Sequence, residues 1–492
     1  MTHPVPGGLE DTARQIAASS VELVRFAWCD VHGMLRGKTL TKAAALSAMK
    51  SGIGMVSTLM LKDTSDRTAF KVFEPGIATE LPGFEGANNL MLMPVADTTF
   101  GSFKVLPWAE HTGWLQCQPV FQDSTPVPFD TRRQLQQALA RLAKKGLGMV
   151  CGLEVEFHIY RLRDPLHGQE LDPDAAPWPG LAPEVSLIHP GYNLLSENWF
   201  DLAEEPLRIV QHTAEALGLP LASLEIELGP SQVEAVFEAT DALTAADNMV
   251  LFRSAVKQAL RRVGYHATFM CRPPFENIMS SGWHLHQSLA HTNTGKSAFM
   301  RDHPAPGTHK NEARFTLSDL GAHYLAGLLR HASGMTAMCT PTANGFGRFK
   351  PNALAPQSIL WGADNRGAML RVVGQPGDAA TRIENRIGEP AANPYLYMAA
   401  QIHAGLDGIT HRLAPPIATE APYAEPGAAG IERIPTNLGD ALQALLADAA
   451  MREGFGPAFI NYFTRIKAAE QQRFEAAEDK VEFQRREYFS RI

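Results

Sequence analysis

The sequence predicts an α+β protein with a small mixed domain at residues 1–117 and a larger domain at 118–492. Helical segments alternate with strand-like segments along most of the chain, and several of these strands carry charge on one face and apolar side chains on the other. A proline-rich, polar connection, QPVFQDSTPVPFD (118–130), marks the boundary. A length of 492 residues is enough for two or three domains with a large core.

The N-terminal segment contains both types of element. A helix is predicted near 9–20, and VELVRFAWCD (21–30) is typical of a strand. HGMLRGKTL follows as a hairpin partner, and KAAALSAMK as a short helix. Two further strand-like segments lie near 54–61 and 89–94. Together they predict a small mixed domain.

The larger segment begins with a helix in TRRQLQQALARLAKKG, with Asp130 as its N-cap and Gly146 at its end. Asn393 and Pro394 are typical of the first positions of another helix. Further helices are predicted near 203–217 and 241–263, through 393–409 and over the last 55 residues, and long loops at 163–200 and 414–430.

The stretch SSGWHLHQSL (280–289) is the most informative strand. Its alternation places His284, His286 and Ser288 on one face. Neutral imidazole is a good ligand for a divalent metal, although this pattern alone favours a half-buried strand with two hydrogen-bonded histidines.

Three other strand-like stretches strengthen the metal interpretation, because each also carries charge on one face. Their charged side chains are Glu154, Glu156 and His158; Glu225, Glu227 and, after a turn, Glu234; and Arg382, Glu384 and Arg386. Any one carboxylate alone is more often a solvated surface group. Several on one concave face would repel one another unless cations neutralised them, and hard oxygen ligands favour Mg²⁺ or Mn²⁺.

Five arginines supply the complementary charge within 39 residues. They are Arg348, Arg366, Arg371, Arg382 and Arg386. They could form an ordinary ion-pair network, but planar guanidinium groups also suit phosphate and carboxylate ligands. A metal site beside arginines indicates phosphoryl chemistry on a nucleotide. Because the chain has neither G-x-x-x-x-G-K-S/T nor a kinase glycine loop, the nucleotide site must be of another kind.

Composition excludes several classes of partner. A net charge of −8 and a pI near 6.1 argue against nucleic acid or an anionic membrane. The sequence shows no apolar run of membrane-spanning length and no signal-peptide core. Five scattered cysteines without C-x-x-C spacing predict reduced thiols in a cytoplasmic protein.

Six ordered motifs give the chain a clear resemblance to the glutamine synthetase family over roughly residues 118–490. The motifs are GLEVEFH, EIELGPSQVE, ATFMCRPP with SSGWHLHQSL, PTANGFGRFKPNALAP, WGADNRGAMLRV and TRIENRIGEPAANPYLYMAAQIHAGLDGI. RFAWCDVHGMLRGK matches the family's small domain less closely.

The resemblance implies a β-grasp N-terminal domain and a catalytic domain on an open antiparallel β-barrel with flanking helices. It implies a homo-oligomer, commonly a dodecamer of stacked hexameric rings with sites between subunits. It implies ATP and two or three Mg²⁺ or Mn²⁺ ions per site, with glutamate and an amine as substrates.

The same resemblance assigns roles by motif. The first metal would be bound by Glu156, Glu227 and Glu234. The second would be bound by Glu154, His284 and Glu384. The nucleotide would be contacted by His286 and Ser288, and its phosphates by Arg366, Arg371 and Arg382. The carboxylates of glutamate would be bound by Arg348 and Arg386. Arg348, Arg366 and Glu384 would be catalytic, and Glu227, Trp283 and Leu354 would also line the substrate site.

Departures from the family pattern shape the expected substrate. The Asp-Gly-Ser-Ser loop of ammonia-using members is absent, and KDTSDRT (62–68), with Asp63 and Asp66, is the nearest candidate. The family's N-G-S-G-M-H is MSSGWH (279–284), and Leu354 stands where the flap carries glutamate.

We therefore expect an ATP-dependent ligase that makes a γ-glutamyl amide from glutamate and an organic amine, aromatic such as aniline or an alkylamine. The alternatives are a γ-glutamylpolyamine synthetase, an ammonia-using glutamine synthetase and a catalytically dead scaffold.

Overall fold

Two β-sheets organise the chain, and helices cover one face of the larger sheet. The computed structural model describes residues 8–95, 103–163, 177–350, 354–423 and 431–492. The first part of the predicted 163–200 loop, residues 351–353 of the flap and the end of the 414–430 loop lie outside these ranges.

The first sheet contains six strands within the described ranges. They are β1 (Leu23–Cys29), β2 (Leu35–Thr41), β3 (Ile53–Val56), β4 (Asn89–Pro94), β5 (Phe103–Leu106) and β6 (Ala109–Val120). The order is β2-β1-β6-β4-β3, with β5 paired to β6, and β1 and β6 run parallel. Because β6 continues to Val120, the sheet ends three residues beyond the predicted boundary at 117.

The second sheet is larger and almost wholly antiparallel. Its strands are β7 (Leu147–Leu162), β8 (Val185–Leu187), β9 (Leu221–Ile226), β10 (Gln232–Asp241), β11 (Tyr265–Thr268), β12 (Trp283–His291), β13 (Trp361–Ala363), β14 (Leu370–Val373) and β15 (Arg382–Gly388). The order is β13-β14-β15-β12-β7-β10-β9, with β8 and β11 also paired to β7 and only β13 and β14 parallel. This nearly closed barrel with flanking helices confirms the predicted α+β class.

The helices connect and cover the sheets. They are α1 (Leu9–Ala18), α2 (Lys42–Ser51), α3 (Ile77–Glu80), α4 (Thr131–Ala143), α5 (Glu197–Ala216), α6 (Ala242–Arg261), α7 (Ala313–Thr316), α8 (Asp319–Arg330), α9 (Ala332–Cys339), α10 (Pro394–His411), α11 (Leu438–Ala447), α12 (Ala449–Phe455), α13 (Pro457–Ala476) and α14 (Lys480–Gln484). Short 3₁₀ turns form at Ser57–Leu61, Glu85–Ala87 and Gly345–Arg348, and a π turn at Arg485–Phe489. No helix in the described ranges is long and apolar enough to cross a membrane.

Helix capping follows the predicted chemistry in two places. The side chain of Asp130 accepts from the N–H of Arg132 and begins α4, and Asn393 accepts from the N–H of Tyr395 and begins α10. Pro394 occupies the first turn of α10, as predicted.

Two predicted elements differ in the structure. The strand predicted at 54–61 ends at Val56, and a 3₁₀ turn follows. The loop predicted to reach residue 200 contains β8, and α5 starts at Glu197 because the hydroxyl of Ser196 caps it by accepting from the N–H of Trp199.

Strand β7 explains why the barrel has one apolar face and one charged face. Leu153, Val155 and Phe157 are buried, and the ring of Phe157 packs against Phe252 of α6 and against Phe269. The alternate residues of β7 must therefore project from the opposite face, where the candidate site forms.

Candidate active site

Charged side chains of neighbouring strands share the polar face of the second sheet. The directly opposed pairs are Glu156 with Glu234, Glu154 with His284, and Glu384 with His286. Directly opposed residues project from the same face of a sheet. The register therefore gathers carboxylates and imidazoles from β7, β10, β12 and β15 into one cluster.

Three carboxylates form the first part of this cluster. Oxygens of Glu156, Glu227 and Glu234 lie within 4.8 Å of one another, and Glu227 directly follows the end of β9. Burial, followed by the charge of neighbouring carboxylates, raises the pKa of both Glu156 and Glu234. Three carboxylates this close cannot all be ionised without a compensating cation.

A histidine links the second part of the cluster. His284 Nδ1 lies 3.5 Å from Glu154 Oε2 and 3.9 Å from Glu384 Oε1. Burial, with a further contribution from Arg386, lowers the pKa of His284 to about 4. The imidazole is therefore neutral near pH 7, which is the form that ligates a metal.

His286 has a different environment. Arg382 Nε donates to His286 Nδ1 at 2.9 Å, and His286 Nε2 lies 2.9 Å from Glu154 Oε1. A neutral ring that accepts at Nδ1 carries its proton at Nε2, facing the carboxylate. In this arrangement His286 orients Glu154.

Glu384 is fully buried between two arginines. Arg371 Nη1 donates to Glu384 Oε2 at 3.0 Å, and Arg386 Nη1 donates to Oε1. Burial would raise the pKa of Glu384, but its basic neighbours, His284 first and then Arg386, outweigh burial and lower that pKa. Glu384 is therefore ionised at neutral pH.

Arg348 reaches the cluster from the 3₁₀ turn at Gly345–Arg348. Its Nη1 donates to the carbonyl oxygens of Arg386 at 2.8 Å and Gly388 at 3.4 Å, and its Nη2 lies 3.5 Å from His284 Nε2. A Cβ at Gly282 would lie 2.4 Å from Arg348 Nη2, so glycine is needed there for the guanidinium to fit.

The donor set fits divalent cations. Two further groups also place one ligand atom per residue within 4.8 Å: Glu154, Glu234 and His284, and Glu154, His286 and Glu384. Carboxylate oxygens with one imidazole are ligands that Mg²⁺ and Mn²⁺ accept. The pKa values of the buried carboxylates are raised first by burial and then by their mutual repulsion, and a bound cation would oppose both effects.

A cavity of about 360 Å³ adjoins this cluster. Glu154, His286, Ser288 and Arg382 line it, together with Phe237 of β10. The residues expected to contact nucleotide therefore share one cavity beside the expected metal ligands.

Two further residues considered in the sequence are fully buried and belong to none of the ligand groups. Trp283 was expected to line the substrate site, but its side chain is 0% exposed and its ring packs edge-on against Tyr397. Because Trp283 alternates with His284 along β12, it points to the apolar face. His158 is fully buried beside Ser281, whose hydroxyl lies 3.3 Å from its Nδ1, and it belongs to none of the ligand groups.

Arg366 and Leu354 lie outside the carboxylate cluster. The side chain of Arg366 is exposed, and no residue in the described ranges forms an ion pair with it. Leu354 is 55% exposed with φ at +51°, and its carbonyl oxygen accepts from Arg386 Nη2 at 3.3 Å. This contact joins the flap to the arginine that holds Glu384.

The aspartates at 62–68 have local partners within the chain. Asp63 accepts from the N–H of Arg67 at 2.8 Å and from Arg473 Nε at 3.0 Å. Asp66 accepts from Arg36 Nη1 at 2.8 Å. Both side chains therefore stabilise the loop against its own subunit and do not join the carboxylate cluster.

Comparison with known proteins decides the family. Residues 128–486 match the family model described as "Glutamine synthetase, catalytic domain". The chain belongs to the glutamine synthetase family. It is 36% identical to the γ-glutamylanilide synthase of an Acinetobacter species over 97% of this chain and 94% of that protein. It is 30% identical to the glutamine synthetase of Pyrococcus furiosus over 90% of this chain and 89% of that enzyme.

Solved structures agree with this membership. The ADP complex of GmaS superposes with a TM-score of 0.75 at 27% identity, covering 95% of this chain and 97% of that one. As a glutamine synthetase-family protein, the chain is an ATP-dependent carbon–nitrogen ligase that uses glutamate.

In this glutamine synthetase-family site, sequence reasoning missed the residues that hold Glu156. Its Oε2 accepts from Gln232 Nε2 at 3.0 Å and from the N–H of Gly282 at 2.9 Å. Gln232 lies two residues before Glu234 on β10, so strand alternation could have placed it on the same face. The contact from Gly282 is a backbone contact and leaves no side-chain signal in the sequence.

Proposed function

We propose that this protein joins the γ-carboxylate of glutamate to an organic amine, an aromatic amine such as aniline or an alkylamine, through a γ-glutamyl phosphate. A γ-carboxylate oxygen attacks the γ-phosphorus of ATP, the bond to the β–γ bridging oxygen breaks, and ADP leaves. The amine nitrogen attacks the acyl carbon, phosphate leaves with the C–O bonding electrons, and the nitrogen loses a proton to water.

The arginines would bind the two anionic substrates. Arg348 and Arg386 would hold the carboxylates of glutamate, and the buried Nε of Arg386 has no hydrogen-bond acceptor among the described residues. Arg366, Arg371 and Arg382 would face the phosphates of ATP, which planar guanidinium groups bind bidentately. His286 and Ser288 would contact the nucleotide from the 360 Å³ cavity.

The carboxylate cluster would hold two or three Mg²⁺ or Mn²⁺ ions. Glu156, Glu227 and Glu234 would form one site, and Glu154, His284 and Glu384 another. Bound there, the ions would neutralise charge on the transferred phosphate. Glu227 would also face the substrate from the end of β9.

Leu354 is the observation that carries the choice of amine. Its side chain is exposed within the flap, next to the carbonyl that binds Arg386, and it offers hydrocarbon where a carboxylate would bind ammonium. An ammonium ion against leucine would be desolvated without a partner, at a cost of roughly several kcal/mol. An aromatic amine avoids this cost, because it is neutral near pH 7 and gains about 25 cal/mol per Å² buried.

Phosphate release with ATP, Mg²⁺ and glutamate across a panel of amines tests the proposal. We expect kcat/KM for aniline or an apolar alkylamine to exceed that for ammonia. A higher value for ammonia would instead indicate ordinary glutamine synthesis, the activity named for several similar proteins. A preference for diamines would indicate a γ-glutamylpolyamine synthetase. If none of the amines supports phosphate release, the protein would be a catalytically dead scaffold.

The assembly would be a homo-oligomer, with a dodecamer of stacked hexameric rings as the expected form. Between residues 178 and 202 large apolar side chains are exposed, a pattern that fits subunit contacts. They are Trp178, Leu181, Leu187, Tyr192, Leu194, Leu195, Phe200 and Leu202. The five free, buried thiols fit a reducing, cytoplasmic location.

A further inference from the structure

A second cavity lies between the first sheet and the helices of the larger part, and none of its lining residues belongs to the candidate active site. Its volume is about 230 Å³. The turn between β1 and β2 (32–35) forms one wall, α6 forms another, and Arg491 and Ile492 close it.

Three basic side chains line this cavity without an acidic one. They are Arg253 and Lys257 of α6 and Arg491. Among the described lining residues there is no aspartate or glutamate. The nearby Asp30 is already paired, because Arg36 Nε lies 2.7 Å from its Oδ2.

The hydrogen bonds of these cations go to neutral groups. Arg253, which is buried, donates to the carbonyl oxygens of Pro390 at 2.7 Å, Ala392 at 2.8 Å and Gly33 at 2.9 Å. All three acceptors are uncharged carbonyl oxygens, and Asp30 is the nearby carboxylate whose charge acts on this guanidinium.

The other two cations have weaker contacts. Lys257 Nζ has a long contact of 3.4 Å to the Ser490 carbonyl oxygen, and Arg491 Nε is buried without a hydrogen-bond partner in the described ranges. The oxygen of Ile492, which also lines the cavity, accepts hydrogen bonds from the N–H of Phe269 and the hydroxyl of Thr268, both at 3.1 Å.

The electrostatics of Lys257 agree with this geometry. Burial, followed by the charges of Arg253 and Arg491, lowers its pKa to about 7. Like charges that line one cavity repel one another, and an anion between them would remove that repulsion.

We propose that this cavity binds a small organic anion whose carboxylate or phosphate group lies between Arg253, Lys257 and Arg491. Its apolar part would lie against Met34, Leu35 and Phe269, which also line the cavity. Because the walls come from both parts of the chain, the bound anion would hold the β1–β2 turn against α6. This site is independent of the proposed amine specificity.

Thermal unfolding of the full-length protein, measured with rising concentrations of succinate, benzoate or inorganic phosphate at constant ionic strength set with chloride, tests the site. We expect at least one of these anions to raise Tm in a saturable way, since a ligand that binds only the folded state stabilises it. A saturable response to phosphate alone would identify a phosphate-bearing ligand, and a response to benzoate or succinate a carboxylate.

Variants locate the binding. Lys257→Met and Arg491→Gln should each abolish the increase in Tm, whereas Lys50→Met on the exposed face of α2 and Arg382→Gln in the candidate active site should retain it. Without added anion, Lys257→Met should itself raise Tm, because it removes the repulsion between Lys257 and the two arginines. The proposal is overturned if no anion exceeds chloride in the wild type, if both cavity variants respond like the wild type, or if Arg382→Gln alone loses the response.

Discussion

Arg348 donates through Nη1 to the carbonyl oxygen of Arg386 at 2.8 Å, and both side chains are buried. This bond attaches the start of the flap to the strand that carries Glu384. The charges of both guanidinium groups act on Glu156 and oppose the rise in its pKa that burial causes, an arrangement suited to an anionic substrate.

We expect Arg348→Ala to raise KM for glutamate by about tenfold to a hundredfold, because a charge-assisted hydrogen bond contributes roughly 1.5–3 kcal/mol. KM for ATP should change much less. Steady-state kinetics with each substrate varied in turn would measure both, and Lys350→Ala, exposed in the same segment, is the control. A lower Tm with unchanged KM would show that Arg348 only stabilises the flap.

His284→Ala should lower kcat by about a thousandfold, since losing a phosphate-bridging metal removes roughly 4 kcal/mol of transition-state stabilisation. Titration with Mn²⁺ should show weaker binding in this variant. His291→Ala, at the exposed end of the same strand, should leave both unchanged. Near-native turnover in a folded His284→Ala protein would contradict the assignment of His284.

Leu354→Glu should reduce the preference for aniline over ammonia, because it adds a carboxylate for ammonium and removes apolar contact. Loss of about 40 Å² of apolar contact corresponds to ~1 kcal/mol, or about fivefold in kcat/KM for aniline. Leu354→Ala separates the two effects, since it removes the contact without adding charge. An unchanged ratio of kcat/KM values in both variants would place the amine elsewhere.

Trp283→Phe should lower stability while leaving amine preference unchanged, because Trp283 is fully buried on the apolar face. Partial loss of a large core side chain costs about 1–3 kcal/mol. Urea denaturation and the amine panel would measure the two properties. A shift in amine preference without loss of stability would show that Trp283 contacts the substrate.

His331 should make stability depend on pH. Its Nδ1 and Nε2 lie 2.8 Å from Asp448 and 2.9 Å from Asp407, and although burial lowers its pKa, these two hydrogen bonds raise it overall. A raised pKa in the folded state stabilises the protein fully below the unfolded pKa of about 6.5, and this contribution is lost as pH rises through the folded pKa.

His331→Gln should therefore lower Tm more at pH 6 than at pH 9, with a difference of about 1–3 kcal/mol in the free energy of unfolding. Thermal unfolding across this range would measure it, with the exposed His212→Gln on α5 as the control. An equal effect at both pH values would mean that His331 is not charged in the folded protein.

Much of the candidate site could be predicted because strand alternation is a local property. Glu154 and Glu156 had to share a face of β7 once Leu153, Val155 and Phe157 were buried. The same rule, applied fully, would have separated Trp283 from His284 and joined Gln232 to Glu234. At both positions the alternation along the strand already separates or joins the side chains.

Other features were not predictable, because they depend on partners far away in the chain. The bond from the N–H of Gly282 to Glu156 involves a backbone group that every residue has. Arg366 and Arg371 belong to one sequence motif. Of the two, only Arg371 lies on a strand opposite Glu384, so only Arg371 binds that carboxylate.

The charged residues, the alternating strands, the caps of α4 and α10 and the family motifs can all be recognised in the sequence. The position of Glu384 between Arg371 and Arg386, and the meeting of Lys257 and Arg491 in one cavity, depend on the tertiary fold. The alternation of side chains along a strand and the capping of a helix depend on neighbouring residues. The register of strand pairing and the shape of a cavity depend on how remote segments pack against one another.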